Sequence, residues 1–147
     1  MKILSLPPII KHFEAFGTFA DKRFKKLDDK NYEVISSDSS KIYKVYVEKK
    51  SEKEFIVSSN DNGTILKNYV GYPILVALID MKILKLAENY EKLKGIKWKE
   101  LNEKYKNYSK VLEIIKNKIG KNEFEKLMNF ATENQNLLKN LIFYLKE

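Results

Sequence analysis

The chain has 147 residues and carries 28 Lys plus Arg against 20 Asp plus Glu, a formal charge of +8 with no cysteine and one histidine. Without cysteine there is no disulfide scaffold, thiol chemistry or zinc ribbon, and any His-ligated metal or Ser-His-Asp chemistry would have to run through His12 alone. Of the cations, 27 are lysines and Arg23 is the only arginine. That is the bias of an AT-rich or heat-adapted source, so the charge is discounted as a functional flag.

The N-terminal stretch has prolines at 7 and 8 and lacks a secretory h-region, so a cytoplasmic protein is the default expectation. Residues 7–20 read as a short helix, with Ile9, Ile10, Phe13, Phe16 and Ala20 at helical spacing and Gly17 as its weak point or end. Short β-like runs follow at Arg23–Leu27, Tyr32–Ser37, Lys41–Glu48, Glu54–Ser59 and Thr64–Val70, separated by Asp-, Asn- and Ser-rich turns. Asn62-Gly63 between two such runs predicts a type I′ hairpin. Joints of two to five residues favour an antiparallel meander, because parallel pairing needs long crossovers.

At Gly71-Tyr72-Pro73 the period changes from 2 to 3.6. Leu75, Ile79, Ile83, Leu86, Tyr90 and Leu93 predict one helix from Pro73 to Gly95. Trp98, Leu101, Tyr105, Tyr108, Leu112, Ile115 and Ile119 predict a second, and Phe124, Leu127, Ala131, Asn134, Leu138, Leu141 and Leu145 a third. The tight Gly120-Lys121 joint makes the last two a helical hairpin. The fold class is therefore α+β: a short helix, a meander of four or five short strands and three C-terminal helices. Residues 1–72 and 73–147 are expected to share one core as a single domain. A small SH3-like barrel over 22–70 is the alternative.

No phosphate-binding glycine loop or metal-ligand cluster is present, so no cofactor and no metal are expected, and an enzyme gets little support. Asp80 is expected to face outward with Ala87, Glu91 and Lys94. Residues 91–122 hold ten lysines against four glutamates, which makes Lys99, Lys106 and Lys110 candidates for contacting phosphates. On the sheet, alternation puts Ile42, Lys44 and Tyr46 on one face and Tyr43, Val45 and Val47 on the other. If the Thr64–Val70 strand aligns with it, Lys44, Tyr46, Lys67 and Tyr69 form a surface able to stack single-stranded nucleic acid. The leading expectation is weak, sequence-indifferent nucleic-acid binding. The alternative is an assembly module, a homodimer, built on apolar residues opposite the helical seam: Ile114, Phe130, Phe143 and Tyr144.

Overall fold

A computed structural model describes residues 1–147 and has the α+β architecture. Helix α1 (Ile10–Ala20) leads into strands β1 (Phe24–Lys26), β2 (Asn31–Ile35), β3 (Ile42–Lys49) and β4 (Glu54–Ser59). These pair antiparallel in chain order, as the short joints require. Alternation along β3 falls as expected, with Val45 and Val47 buried and Lys44 exposed. One face of the sheet is covered by helices and the other is open to solvent.

The Thr64–Val70 strand does not form. Asp61 accepts a hydrogen bond from the Thr64 amide at 3.1 Å and caps a single turn, α2 (Asn62–Ile65). The Asx cap takes the Asn-Gly pair into a helix start in place of a hairpin. The fifth strand is β5 (Ile142–Leu145), parallel to β4 through Phe55↔Phe143 and Ile56↔Tyr144. The third helix was expected to run through these residues. Its apolar surplus there is instead a period-2 strand pattern, with Phe143 inward and Ile142 at the surface. Chain segment 2–5 then lines the far side of β5, the Leu4 amide bonding Phe143 O at 2.9 Å and the Leu145 amide bonding Lys2 O at 2.7 Å.

The helix expected over 73–94 is two pieces. Helix α3 (Tyr72–Asp80) is apolar nearly all round and lies against the inner sheet face. It stops in a Schellman-type end: Lys82 takes a left-handed φ of 64°, and the Ile83 amide bonds Leu78 O at 2.9 Å. Residues 81–89 then run as turns to a 3-10 turn at Tyr90–Leu93. Asp80 does not face outward; it accepts the Tyr32 hydroxyl at 2.6 Å, and Ala87 is buried. The next expected helix also breaks, into α4 (Trp98–Tyr105) and α5 (Tyr108–Ile119). Lys106 is left-handed and the Asn107 side chain caps α5 by accepting the Lys110 amide at 3.0 Å. Helix α6 (Lys121–Lys139) packs against α5 as the second arm of the hairpin.

A cluster of 29 buried apolar residues draws on both halves of the chain. Asn134, a polar residue on the α6 seam, is fully buried and holds the 81–89 turns: its side chain accepts the Lys85 amide at 2.9 Å and donates to Lys85 O at 2.8 Å. No helix is long and apolar enough to cross a membrane.

Candidate functional site

Where α1, the end of β2, the Asp61 turn and α4 meet, they leave a cavity of about 540 Å3. This lies within the size range of small-molecule sites. Six cations line it (Lys11, Arg23, Lys41, Lys67, Lys99, Lys106) against three carboxylates (Glu14, Asp61, Glu103), together with Tyr43, Tyr69, Tyr72, Tyr108 and Trp98.

The floor comes from α1. Lys11 Nζ donates to Glu14 Oε2 at 2.9 Å, with side chains only 11% and 5% exposed. Asn102 Nδ2 donates to the same oxygen at 3.3 Å. Burial alone would lower the Lys11 pKa. Burial is the largest single influence, but the Glu14 carboxylate together with Tyr69 and Tyr108 outweighs it and holds the ammonium charged, well above the ordinary lysine value. Lys11 Nζ also lies 5.1 Å from the Tyr108 ring centroid. Burial raises the pKa of Tyr43, Tyr69 and Tyr72, reinforced chiefly by the Asp61 charge at Tyr43, by Tyr108 at Tyr69 and by the Glu14 charge at Tyr72, so these hydroxyls stay protonated at neutral pH. Trp98 Nε1 and Asn102 Oδ1 are buried along this wall without a hydrogen-bond partner.

Each wall has a local cause. Gly17, in mid-helix, lets the Trp98 indole rest on α1; a Cβ there would sit 2.6 Å from Trp98 Nε1. Asp61 is buried, and beyond its capping bond it accepts the Ser59 and Thr64 hydroxyls. Thr64 Oγ1 in turn accepts the Gly71 amide at 3.2 Å. A Cβ on Gly71 would fall 2.1 Å from Asp61 Oδ2, and one on Gly63 2.4 Å from the Tyr69 ring. The N-terminal segment fixes the same loop from outside, through Ser5–Asn68 and Val70–Ser5 backbone bonds. Opposite, the loop at 36–41 is held by Asp38. Its carboxylate accepts Ser36 and Ser40 hydroxyls and pairs with Lys99 at 3.4 Å. Those bonds pull the Asp38 pKa below the usual carboxylate range, the Ser40 hydroxyl most. Arg23 is also anchored, its Nε on Asp21 at 3.1 Å and its Nη1 on Ile35 O.

Three lining cations, Lys41, Lys67 and Lys106, are solvent-exposed and form no ion pair. Lys11, Arg23 and Lys99 are each paired with a carboxylate, the buried Asp61 is held by hydroxyl and amide donors without a cation, and the mouth carries these three free lysines against the exposed Glu103. The side chains suit an anion; no three His, Asp or Glu side chains come together as a metal site would require.

The structure brings Lys67, Tyr69, Lys99 and Lys106 to this one cavity, Lys67 and Tyr69 without the sheet register expected of them. Lys44 and Tyr46 lie on the open sheet face instead. There Lys44 pairs with Glu33 at 3.3 Å, and the Tyr46 hydroxyl donates to Glu48 at 2.7 Å under Lys146 Nζ, 3.8 Å from its ring centroid. Lys110 sits over the Tyr105 ring at 5.8 Å, outside the cavity. Of the apolar quartet, Phe143 is 3% exposed and stacks on Phe55 with centroids 5.3 Å apart, so it belongs to the core. Tyr144 donates to Glu54 at 3.1 Å, Phe130 packs against the core edge, and Ile114 is half-buried on α5.

Sequence reasoning missed Lys11, Glu14, Tyr43 and Tyr72 as site residues. One signal was available: Lys11 and Glu14 stand three residues apart, a complementary pair inside a helix otherwise apolar almost all round.

No curated protein and no solved structure matches the chain. A family model does match, over residues 4–144, and the chain belongs to that family, described as uncharacterised conserved protein UCP014422.

Proposed function

We propose that this protein binds a small phosphorylated molecule in the cavity between α1, α4 and the Asp61 turn. The observation that carries the reading is the charge layout. Lys41, Lys67 and Lys106 stand unpaired around the mouth, three cations against the one free carboxylate of Glu103, above a floor where Lys11 is matched by Glu14 and Asp61 is satisfied by hydroxyl and amide donors. Unpaired ammonium groups at the rim of a concave site attract and hold multiply charged anions, with an affinity that falls as salt rises. Five aromatic side chains among the lining residues supply the apolar area that a ring-bearing ligand needs. Calorimetry with tripolyphosphate and with mixed ribonucleotides, at two salt concentrations, tests this. Saturable binding weakened by salt, and at least tenfold weaker in a Lys41→Gln/Lys67→Gln/Lys106→Gln variant, supports the reading. No heat at low salt removes it.

Nucleic-acid binding is the second reading, favoured by the continuation of the positive mouth along α5. Lys110 and Lys104 flank the exposed side of Tyr105, at 5.8 and 5.2 Å from its ring centroid. A single strand could lie across these groups with one nucleotide in the cavity. Oligonucleotides that bind tighter than mononucleotides by tenfold or more, with affinity rising with length, would favour it. The open sheet face is a poorer platform, because Glu33, Glu48 and Glu54 interleave with its lysines and tyrosines.

A further inference from the structure

Two charged groups near the rim, Lys99 and Asp38, are spent on each other, and the loop they hold carries one of the mouth lysines. Asp38 does not line the cavity, whereas Ser36, Ser37 and Lys41 of the same loop do. Asp38 Oδ1 accepts the Ser36 hydroxyl at 2.8 Å, the Ser40 amide at 3.0 Å and the Ser40 hydroxyl at 2.7 Å. Ser36 Oγ in turn accepts the Lys41 amide at 3.1 Å, and the Ser36 amide donates to Lys41 O at 3.0 Å. Ser39 sits at a left-handed φ of 63°, a conformation that a non-glycine residue keeps only where its surroundings fix it. Helix α4 pins this loop from outside. Lys99 Nζ donates to Ser40 Oγ at 2.9 Å and lies 3.4 Å from Asp38 Oδ2. The Ser37 hydroxyl accepts the Lys99 amide at 2.9 Å, which satisfies an N-terminal donor of α4 that Lys97, at the cap position, does not.

Resting on the phosphorylated-ligand reading, we infer that Asp38 is a positioning residue for anion binding: tied to Lys99, it fixes the 36–41 loop so that Lys41 stands at the mouth of the cavity. Asp38 acts through the Ser36 hydroxyl on the Lys41 backbone and does not meet the ligand. Lys99 spends its charge on the loop in place of the phosphates. By charge alone Asp38 opposes the ligand, because a carboxylate near an anion site repels the anion, and its removal would also release the Lys99 ammonium. Fixing the loop works the other way. A lysine whose backbone is already held loses less freedom when an anion settles on it. The two effects have opposite signs, so one substitution tells which governs.

The test is calorimetry with tripolyphosphate at low salt on the full chain and its variants. Asp38→Ala should weaken binding at least fivefold, although it removes a negative charge from beside the site. Ser40→Ala, which changes no charge and no lining residue, should weaken binding at least twofold. In a Lys41→Gln chain, Asp38→Ala should shift the affinity by less than twofold, because the group it positions is gone. Unchanged or tighter binding by Asp38→Ala overturns the inference, while wild-type binding still stands for the broader reading. An equal loss with and without the Lys41 side chain overturns it too, since Asp38 would then act on the cavity as a whole. No binding by the wild type overturns both. Should Asp38→Ala fail to fold, Ser40→Ala, alone and in the Lys41→Gln chain, decides.

Discussion

Removing Lys11 while keeping Glu14 probes the buried pair directly. In a Lys11→Met chain the Glu14 carboxylate, 5% exposed, keeps only the Asn102 bond at 3.3 Å. Breaking one side of a buried ion pair costs about 3–5 kcal/mol, chiefly because the surviving charge is left desolvated. The cavity lets water approach Glu14 from one side, which places the expected loss near the low end, about 3 kcal/mol. For a chain of this size that is roughly 6–12 °C of Tm. Lys11→Met/Glu14→Leu removes both charges and should recover to within about 1 kcal/mol of wild type, since apolar replacement of a buried pair is often neutral. Denaturant titration of the four members of the cycle gives the coupling. A Lys11→Met chain within about 0.5 kcal/mol of wild type, the range of ordinary surface changes, would refute the reasoning. So would a double variant as unstable as the sum of the singles.

Other perturbations separate packing from surface roles. Gly17→Ala forces a methyl to 2.6 Å from the Trp98 indole nitrogen and should cost about 1–3 kcal/mol by chemical denaturation, with Trp98 fluorescence shifted as the ring moves. Asn134→Leu takes the partner from the Lys85 amide and carbonyl beside the buried α6 seam and should cost about 2–3 kcal/mol; a neutral result would mean water replaces both bonds. Phe143→Ala should cost about 3–5 kcal/mol, because the ring is stacked on Phe55 inside the protein; near-wild-type stability with altered light scattering would return Phe143 to a subunit interface. His12 is fully buried and its Nε2 donates to Gln135 Oε1 at 2.7 Å, and burial lowers its pKa below the ordinary 6.5. The unfolded chain then binds the proton more readily. Stability should be full above pH 6.5 and fall as pH drops below it, by up to ~1.4 kcal/mol per pH unit, until the folded-state pKa is passed. His12→Asn should flatten that slope in a pH series of denaturant midpoints.

Local pattern carried the first four strands and the helical hairpin, because period and turn chemistry are properties of a few neighbouring residues. It failed where a distant residue decides. Nothing local in Thr64–Val70 says that Asp61 will cap a helical turn, or that Ser5 will bond to Asn68 and Val70 from across the chain. A 3-4 apolar seam runs unbroken through Tyr105 and Tyr108, yet the chain turns at Lys106 and Asn107, and that turn delivers Lys106 and Tyr108 to the cavity. The strand at Ile142–Leu145 was hidden because Leu141 and Leu145 also satisfy a helical spacing. The site was half visible. Lys67, Tyr69, Lys99 and Lys106 stood out as basic or stackable residues, but their convergence depends on those same tertiary turns. Lys11 and Glu14 were masked by the apolar residues around them, although a complementary pair three residues apart in such a helix needs a buried role to explain it.

Backbone amide NMR during titration with mixed ribonucleotides tests the cavity as the binding site most directly. The account predicts saturable shifts confined to residues 11–18, Arg23, 36–43, 61–72 and 98–108, which wall the cavity. Shifts centred on Lys44, Tyr46 and their neighbours on the open sheet face, or no shifts at low salt, would contradict it.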